Sequence, residues 1–137
     1  MDPRGIMITT VEKTNLSGTV KAKASKSCAH RLLICAGLAK GVSKIKGVAF
    51  NEDILATIDC LQALGVNCQI EGDTVTVTGA DLTPSQTLCC RESGSTLRFL
   101  IPPALLCATD ITFTGAESLF SRKISRVTVY LTGRHLL

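Results

Sequence analysis

The chain has no tryptophan and only one tyrosine, and aromatic residues make up 4% of its 137 positions. That scarcity removes the stacking platforms that hold single-stranded nucleic acid, and no segment carries a dense basic stripe, so a nucleic-acid partner is not expected. Histidine is equally scarce. His30 and His135 stand far apart with no cysteine at finger spacing, and none of the seven cysteines forms a C-x-x-C pair, so no metal is expected. Cys28, Cys35, Cys60, Cys68, Cys89, Cys90 and Cys107 are odd in number and scattered through apolar segments. Most of them read as small buried hydrophobes in a reducing compartment rather than as a secreted disulfide framework. Long hydrophobic runs are missing too: Leu97 to Ala108 is broken by Arg98, Pro102 and Pro103 and falls short of the roughly 20 residues a membrane span needs. The start, MDPRGIMITT, lacks the basic, apolar and small-residue regions of a secretory signal, so a cytoplasmic protein without a membrane partner is expected. Neither G-x-x-x-x-G-K-[ST] nor G-x-G-x-x-G occurs, which disfavours nucleotides.

What the chain does have is 45% apolar residues, enough for one modest core or two small ones, and a mild net charge of +4. Gly18 to Ala24 reads as an extended segment. Ser25, Lys26 and Ser27 then lead into an apolar run, Ala29 to Leu38, with helical spacing and Gly41 as its stop. Val42 to Val48 is β-branched and reads as a strand; Asn51 offers an N-cap for a helix over Glu52 to Leu64, which Gly65 ends. Asn67 to Glu71 and Thr74 to Thr78 alternate around Gly72-Asp73, predicting an antiparallel hairpin with one buried face. The order is β-α-β-α-β-β. Past a Gly/Pro/Ser-rich link from Gly79 to Thr87, a strand at Leu88 to Cys90 runs into a helix start at Glu92-Ser93-Gly94-Ser95-Thr96. Arg31 and Arg98, Leu33 and Leu100, Ile34 and Ile101, and Leu38 and Leu105 all stand 67 positions apart, which suggests an internal repeat. Pro102 and Pro103 predict a kink in this second helix, and Asp110 to Thr114 a following strand with a turn at Gly115.

The chemistry concentrates at the two helix starts. Lys26 and Arg31 fall within about a turn and a half of a helix N-terminus, where the dipole disfavours a cation by roughly 0.3 to 1 kcal/mol. A carboxylate or phosphate held by the free N–H groups, the hydroxyls of Ser25 and Ser27 and these cations reverses that sign. On spacing alone, cations that simply extend into solvent fit equally well. The second start repeats the pattern, with Gly94 admitting close approach to the backbone and Arg98 one turn later.

Four stretches carry a family resemblance: Ala24-Ser25-Lys26-Ser27-Cys28-Ala29-His30-Arg31; Asn51-Glu52-Asp53-Ile54 with Leu61 to Gly65; Glu92 to Leu100; and Thr114-Gly115 with Leu119 to Arg122. Their S-K-S-x-x-x-R and S-G-S-T-x-R-F elements, in this order, resemble the 3-phosphoshikimate 1-carboxyvinyltransferases, or EPSP synthases, from Leu16 to Arg122. The sibling enzymes acting on UDP-N-acetylglucosamine normally carry asparagine where Ser27 stands, and rank second. The resemblance implies a mixed α/β (α+β) chain of βαβαββ units of the inverse-barrel fold. One complete unit would cover 16–79 and part of a second 87–122. It also implies transfer of the enolpyruvyl group from phosphoenolpyruvate to the 5-hydroxyl of shikimate 3-phosphate, through a tetrahedral intermediate and with loss of phosphate, using no metal or organic cofactor. By the same resemblance Lys26 touches both substrates, Ser27 and Arg31 hold the shikimate part, Gly94 lies against phosphoenolpyruvate, Arg122 grips its carboxylate or phosphate, and Arg98 assists nearby. All are binding groups; no catalytic acid or base is assigned.

Two features depart from the family pattern. Lys23 and Ala24 stand where a proline is usual, and after Arg122 comes Lys123 rather than proline. The tail 123–137, in which Val127, Val129 and Leu131 alternate as in a strand, has no counterpart among these motifs. A shifted frame, a truncation and a divergent ending all fit it. Family members are much longer two-domain enzymes whose ligands bind between domains. The chain is therefore expected to be the front part of such an enzyme, lacking the C-terminal domain and inactive alone. A non-catalytic anion-binding module and a degenerate remnant are the alternatives.

Overall fold

A computed structural model of the chain describes residues 9–82, 86–107 and 111–121. Arg122 and the tail 123–137 lie outside the described residues. The elements are α1 (Lys26–Leu38), β1 (Val42–Ile45), α2 (Glu52–Ala63), β2 (Asn67–Glu71), β3 (Thr74–Thr78), β4 (Gln86–Cys89), α3 (Gly94–Cys107), β5 (Ile111–Thr114) and α4 (Glu117–Phe120). Helix and strand mix as the sequence predicts.

The hairpin falls on the expected residues. Gly72 takes φ +59° at the first central position of its two-residue loop, a conformation glycine adopts without Cβ strain. β3 sits between β1 and β2, antiparallel to both, with Val75 opposite Ile45 and Ile70, and Val77 opposite Ser43 and Cys68. Because side chains alternate along a strand, these six share one face. Val75 and Val77 are wholly buried there, and the other face shows Lys44, Gln69 and Thr76. β4 and β5 form a separate parallel pair, which requires the crossover that α3 provides.

The helix starts have local causes. Ser25 Oγ accepts the Cys28 N–H at 3.3 Å, and Asn51 Oδ1 accepts the Ile54 N–H at 3.0 Å, so α1 and α2 begin where their caps stand. One core joins the layers: Leu33 of α1, Ile54 and Leu61 of α2, Val75 and Val77 of β3, Leu88 of β4, Leu100 of α3 and Leu119 of α4 are all buried in it. Each such side chain contributes about 1.5 to 3 kcal/mol through burial.

Two expectations change. Gly18–Ala24 is exposed and joins no strand, so the described order opens on α1; Val20, Ala22 and Ala24 are its only apolar side chains, too small and few to seat it on the core. α3 continues through Pro102 and Pro103, the pair at which a kink is expected, leaving the carbonyls of Arg98 and Phe99 without their usual i+4 donors. Of the six cysteines described, Cys60, Cys68 and Cys90 are buried but Cys28, Cys35 and Cys89 are exposed, because α1 and β4 turn those positions outward; all six are free thiols. The 67-residue offset carries α1 onto α3, with Leu33 and Leu100 both buried and Arg31 and Arg98 both exposed.

Candidate anion site

Three helix N-termini meet at one corner, and Asp53, in the first turn of α2, joins them. Its carboxylate receives Lys26 Nζ of α1 at 2.5 Å, and its carbonyl oxygen accepts from Thr96 Oγ1 of α3 at 3.2 Å. α2 carries Glu52 and Asp53 in its first turn, which suits the positive end of its dipole. α1 and α3 carry no acidic residue there. The positive ends of α1 and α3 therefore add to Lys26, Arg31 and Arg98 with little compensation beyond Asp53.

Each cation is oriented. Lys26 is half exposed and keeps two ammonium hydrogens beyond the one given to Asp53. Arg31 donates through Nη1 to Ser27 Oγ at 2.5 Å and to the Ser27 carbonyl at 3.2 Å, and lays its guanidinium 4.9 Å from the ring centre of Phe99 in α3. That stack holds an α1 cation against the α3 start while leaving further N–H donors at its edge. In α3, Arg98 Nη1 lies 3.7 Å from the point a Cβ on Gly94 would occupy. Of the expected binding residues, Lys26 and Arg31 are thus tied to α2 and α3, and Arg98 is brought beside Gly94. Arg122 falls outside the described residues.

Two parts of the sequence expectation are revised. The exposed Ser25 caps α1, its Oγ accepting the Cys28 amide N–H. Ser27 is engaged by Arg31 one turn on, so serine and arginine form one group rather than two.

Several residues were not anticipated. His30 is fully buried, and its Nδ1 lies 2.7 Å from Thr57 Oγ1; Thr57 Oγ1 lies 2.7 Å from Thr96 Oγ1, which lies 2.7 Å from Ser93 Oγ. Burial holds the His30 pKa below its usual value, with Asp53 opposing and Lys26 and Arg31 adding to the effect. Arg91, in the left-handed region at φ +51°, reaches Asp59 Oδ2 at 2.6 Å and also pairs with Glu52, so the loop before α3 is clamped to α2. The Arg91 carbonyl accepts the Ala116 N–H at 2.8 Å, and a Cβ on Gly115 would stand 2.5 Å from that oxygen, so only glycine fits there. Among the described residues no group of His, Cys, Asp and Glu is placed to hold a metal ion, and no helix is long and apolar enough to cross a membrane.

Comparison with known proteins places this corner in context. A family model described as EPSP synthase (3-phosphoshikimate 1-carboxyvinyltransferase) matches residues 11–133, running past Arg122 into the tail. The 3-phosphoshikimate 1-carboxyvinyltransferase of Clostridium perfringens (strain SM101 / Type A) is 39% identical over 117 residues, covering 83% of this chain and 28% of that protein. The same-named protein of Clostridium kluyveri is 43% identical over 117 residues, covering 84% and 28%. The solved EPSP synthase from Acinetobacter baumannii superposes with a TM-score of 0.71 at 28% identity, over 84% of this chain and 27% of its own. The chain thus spans little more than a quarter of the length of these relatives.

Proposed function

Because the chain belongs to the EPSP synthase family, we propose that it carries one wall of an enolpyruvyl-transfer site, where shikimate 3-phosphate and phosphoenolpyruvate meet the starts of α1 and α3. The observation that carries this reading is the convergence of three helix N-termini, two of them without acidic residues, on Lys26 and Asp53.

The physical problem is charge. Both substrates are polyanions, and joining the 5-hydroxyl of one to the enol carbon of the other requires holding like charges together. Fixed cations and helix ends in a drained cleft do this more effectively than water, because nothing reorganises as charge moves and the dielectric is low. Lys26, steered by Asp53, can donate to both substrates; Ser27 and Arg31 act as one group on the shikimate side. Gly94 lets phosphoenolpyruvate approach the first amides of α3 with Arg98 alongside, and Arg122 is assigned to its carboxylate or phosphate.

In this reading residues 16–79 form one complete unit of the family architecture and 87–122 part of a second, and the family model's match runs on from there to residue 133. The acid and base of the reaction, and the groups that clasp the substrate phosphate, are assigned to the part of the relatives' length that the chain does not span. The chain alone should bind without turnover, and the cytoplasm is the assigned compartment.

Titrating labelled chain with shikimate 3-phosphate, followed by amide NMR, tests the proposal. Saturable shifts at Lys26, Ser27, Arg31 and Gly94, tighter than those produced by inorganic phosphate, are expected. Equal response to phosphate and sulfate would reduce the site to a general anion module, and no response would leave a remnant. Phosphate release from both substrates by the purified chain would refute the assignment of the missing catalytic groups elsewhere.

A further inference from the structure

We infer that His30 is a positioning residue for the anion site: through a buried line of hydroxyls it fixes the start of α3, with Gly94, against the start of α1, with Lys26. The inference rests on the reading above for what the site binds, but its geometry stands independently. Lys26, Ser27 and Arg31 on the same turns of α1 are exposed, whereas His30 is wholly buried. A leucine would fill an apolar position there without desolvating two ring nitrogens, so the imidazole is explained by its bonds.

Those bonds run across all three helices. His30 Nδ1 meets Thr57 Oγ1 of α2, and Thr57 Oγ1 meets Thr96 Oγ1 of α3; Thr96 Oγ1 meets Ser93 Oγ, which also accepts the Thr96 N–H at 3.1 Å. Thr57 and Thr96 additionally lie 3.3 and 3.2 Å from the carbonyl oxygen of Asp53, whose carboxylate holds Lys26. The line thus ends on either side of Gly94, at Ser93 and Thr96, and touches the residue that orients Lys26.

Counting hydrogens assigns the tautomer. If Nδ1 carries the proton, it donates to Thr57; Thr57 donates to Thr96, and the Thr96 hydroxyl donates to Ser93 Oγ or to the Asp53 carbonyl. The ring N–H is then used, and only a lone pair at Nε2 is left on the imidazole, the single buried side-chain polar atom without a partner among the described residues. The opposite tautomer strands an N–H at Nε2, the costlier orphan. His30 therefore acts as a donor at the head of the line.

The test uses the 137-residue chain and two substitutions. Nitrogen-15 NMR of the imidazole should show Nδ1 protonated and Nε2 bare; a proton on Nε2 would overturn the accounting. His30→Asn can place an amide N–H where Nδ1 stands, whereas His30→Leu fills the space without donating. His30→Leu should move the Gly94 amide resonance and weaken shikimate 3-phosphate binding by about tenfold or more, since small misplacements of binding groups are amplified. His30→Asn should restore the Gly94 resonance and most of the affinity. Equal losses in both variants, tracking their melting temperatures, would mean that His30 merely fills the core and would overturn the inference. Should His30→Leu fail to fold, Thr57→Val removes the same bond with a side chain of the same shape and is expected to shift Gly94 alike; an unmoved Gly94 in Thr57→Val would equally overturn it. A wild-type chain that binds nothing refutes the proposed function, while the Gly94 resonance still decides the positioning role.

Discussion

Replacing Gly94 with alanine separates the site from the fold more cleanly than any other change. A Cβ there would meet Arg98 Nη1 at 3.7 Å and Leu119 Cδ1 at 3.8 Å, both ordinary contacts, so the protein itself has room for the methyl. Gly94 opens α3, and alanine is favoured over glycine in a helix by at most about 1 kcal/mol. Gly94→Ala should therefore melt at the wild-type temperature or a few degrees above it. The ligand has no such room. If phosphoenolpyruvate lies against this backbone, the methyl takes its place, and forcing one methyl into a packed contact costs about 1 to 3 kcal/mol, or roughly five- to 150-fold in affinity. Gly115→Ala is the control in the other direction: its Cβ would stand 2.5 Å from the Arg91 carbonyl oxygen, so it should melt well below wild type. Calorimetry with phosphoenolpyruvate and thermal melting of all three chains provide the readouts. Unchanged affinity in Gly94→Ala would show that no ligand approaches Gly94, and a fall of many degrees in its melting point would show that the space described here does not exist.

Asp53→Asn keeps an acceptor for Lys26 but removes the carboxylate paired with it, so inorganic phosphate should bind more tightly by about 1 kcal/mol, roughly fivefold. The Lys26 pair is partly exposed, and its loss should hardly change the melting temperature; weaker phosphate binding would refute the electrostatic reading. His30 has its pKa lowered in the folded chain, so the unfolded chain binds more protons as pH falls below the ordinary histidine value. Stability present above about pH 6.5 should be lost as pH drops toward the folded pKa, and denaturant melts of His30→Asn should lack that component. Among thiols, exposed Cys28, Cys35 and Cys89 should react rapidly with a thiol reagent, whereas Cys60, Cys68 and Cys90 should wait for unfolding, burial having pushed Cys68 up to about 11. Peptide mapping after a short pulse decides this, and early labelling of Cys60 would refute it.

Local signals were the legible ones. Alternation on both sides of Gly72-Asp73 marked both ends of the hairpin, and Asn51 marked the start of α2, because turns and caps are written within a few residues. The two cationic helix starts were legible for the same reason. Their partners were not: Lys26 meets Asp53 across 27 positions, Thr57 meets Thr96 across 39, and Thr96 meets the Asp53 carbonyl across 43. Nothing in periodicity marks which acid turns toward which cation, nor that His30, one residue before an exposed arginine, faces inward. The exposed cysteines escaped notice because thiols fit either face of an amphipathic helix or strand. Gly18–Ala24 has strand-like residues, but a strand also requires a neighbour to receive its amides.

The exposed arm that precedes α1 has a practical corollary. Val11, Leu16 and Val20 lie almost wholly in water, so clipping the arm removes little that holds the core together. A trypsin cut after Lys23 would leave Ala24 as a new amino terminus one residue from the cap Ser25. The fresh ammonium would then stand at the mouth of α1, so the nicked chain should hold phosphate more firmly than the intact one, and more so in dilute buffer than in salt.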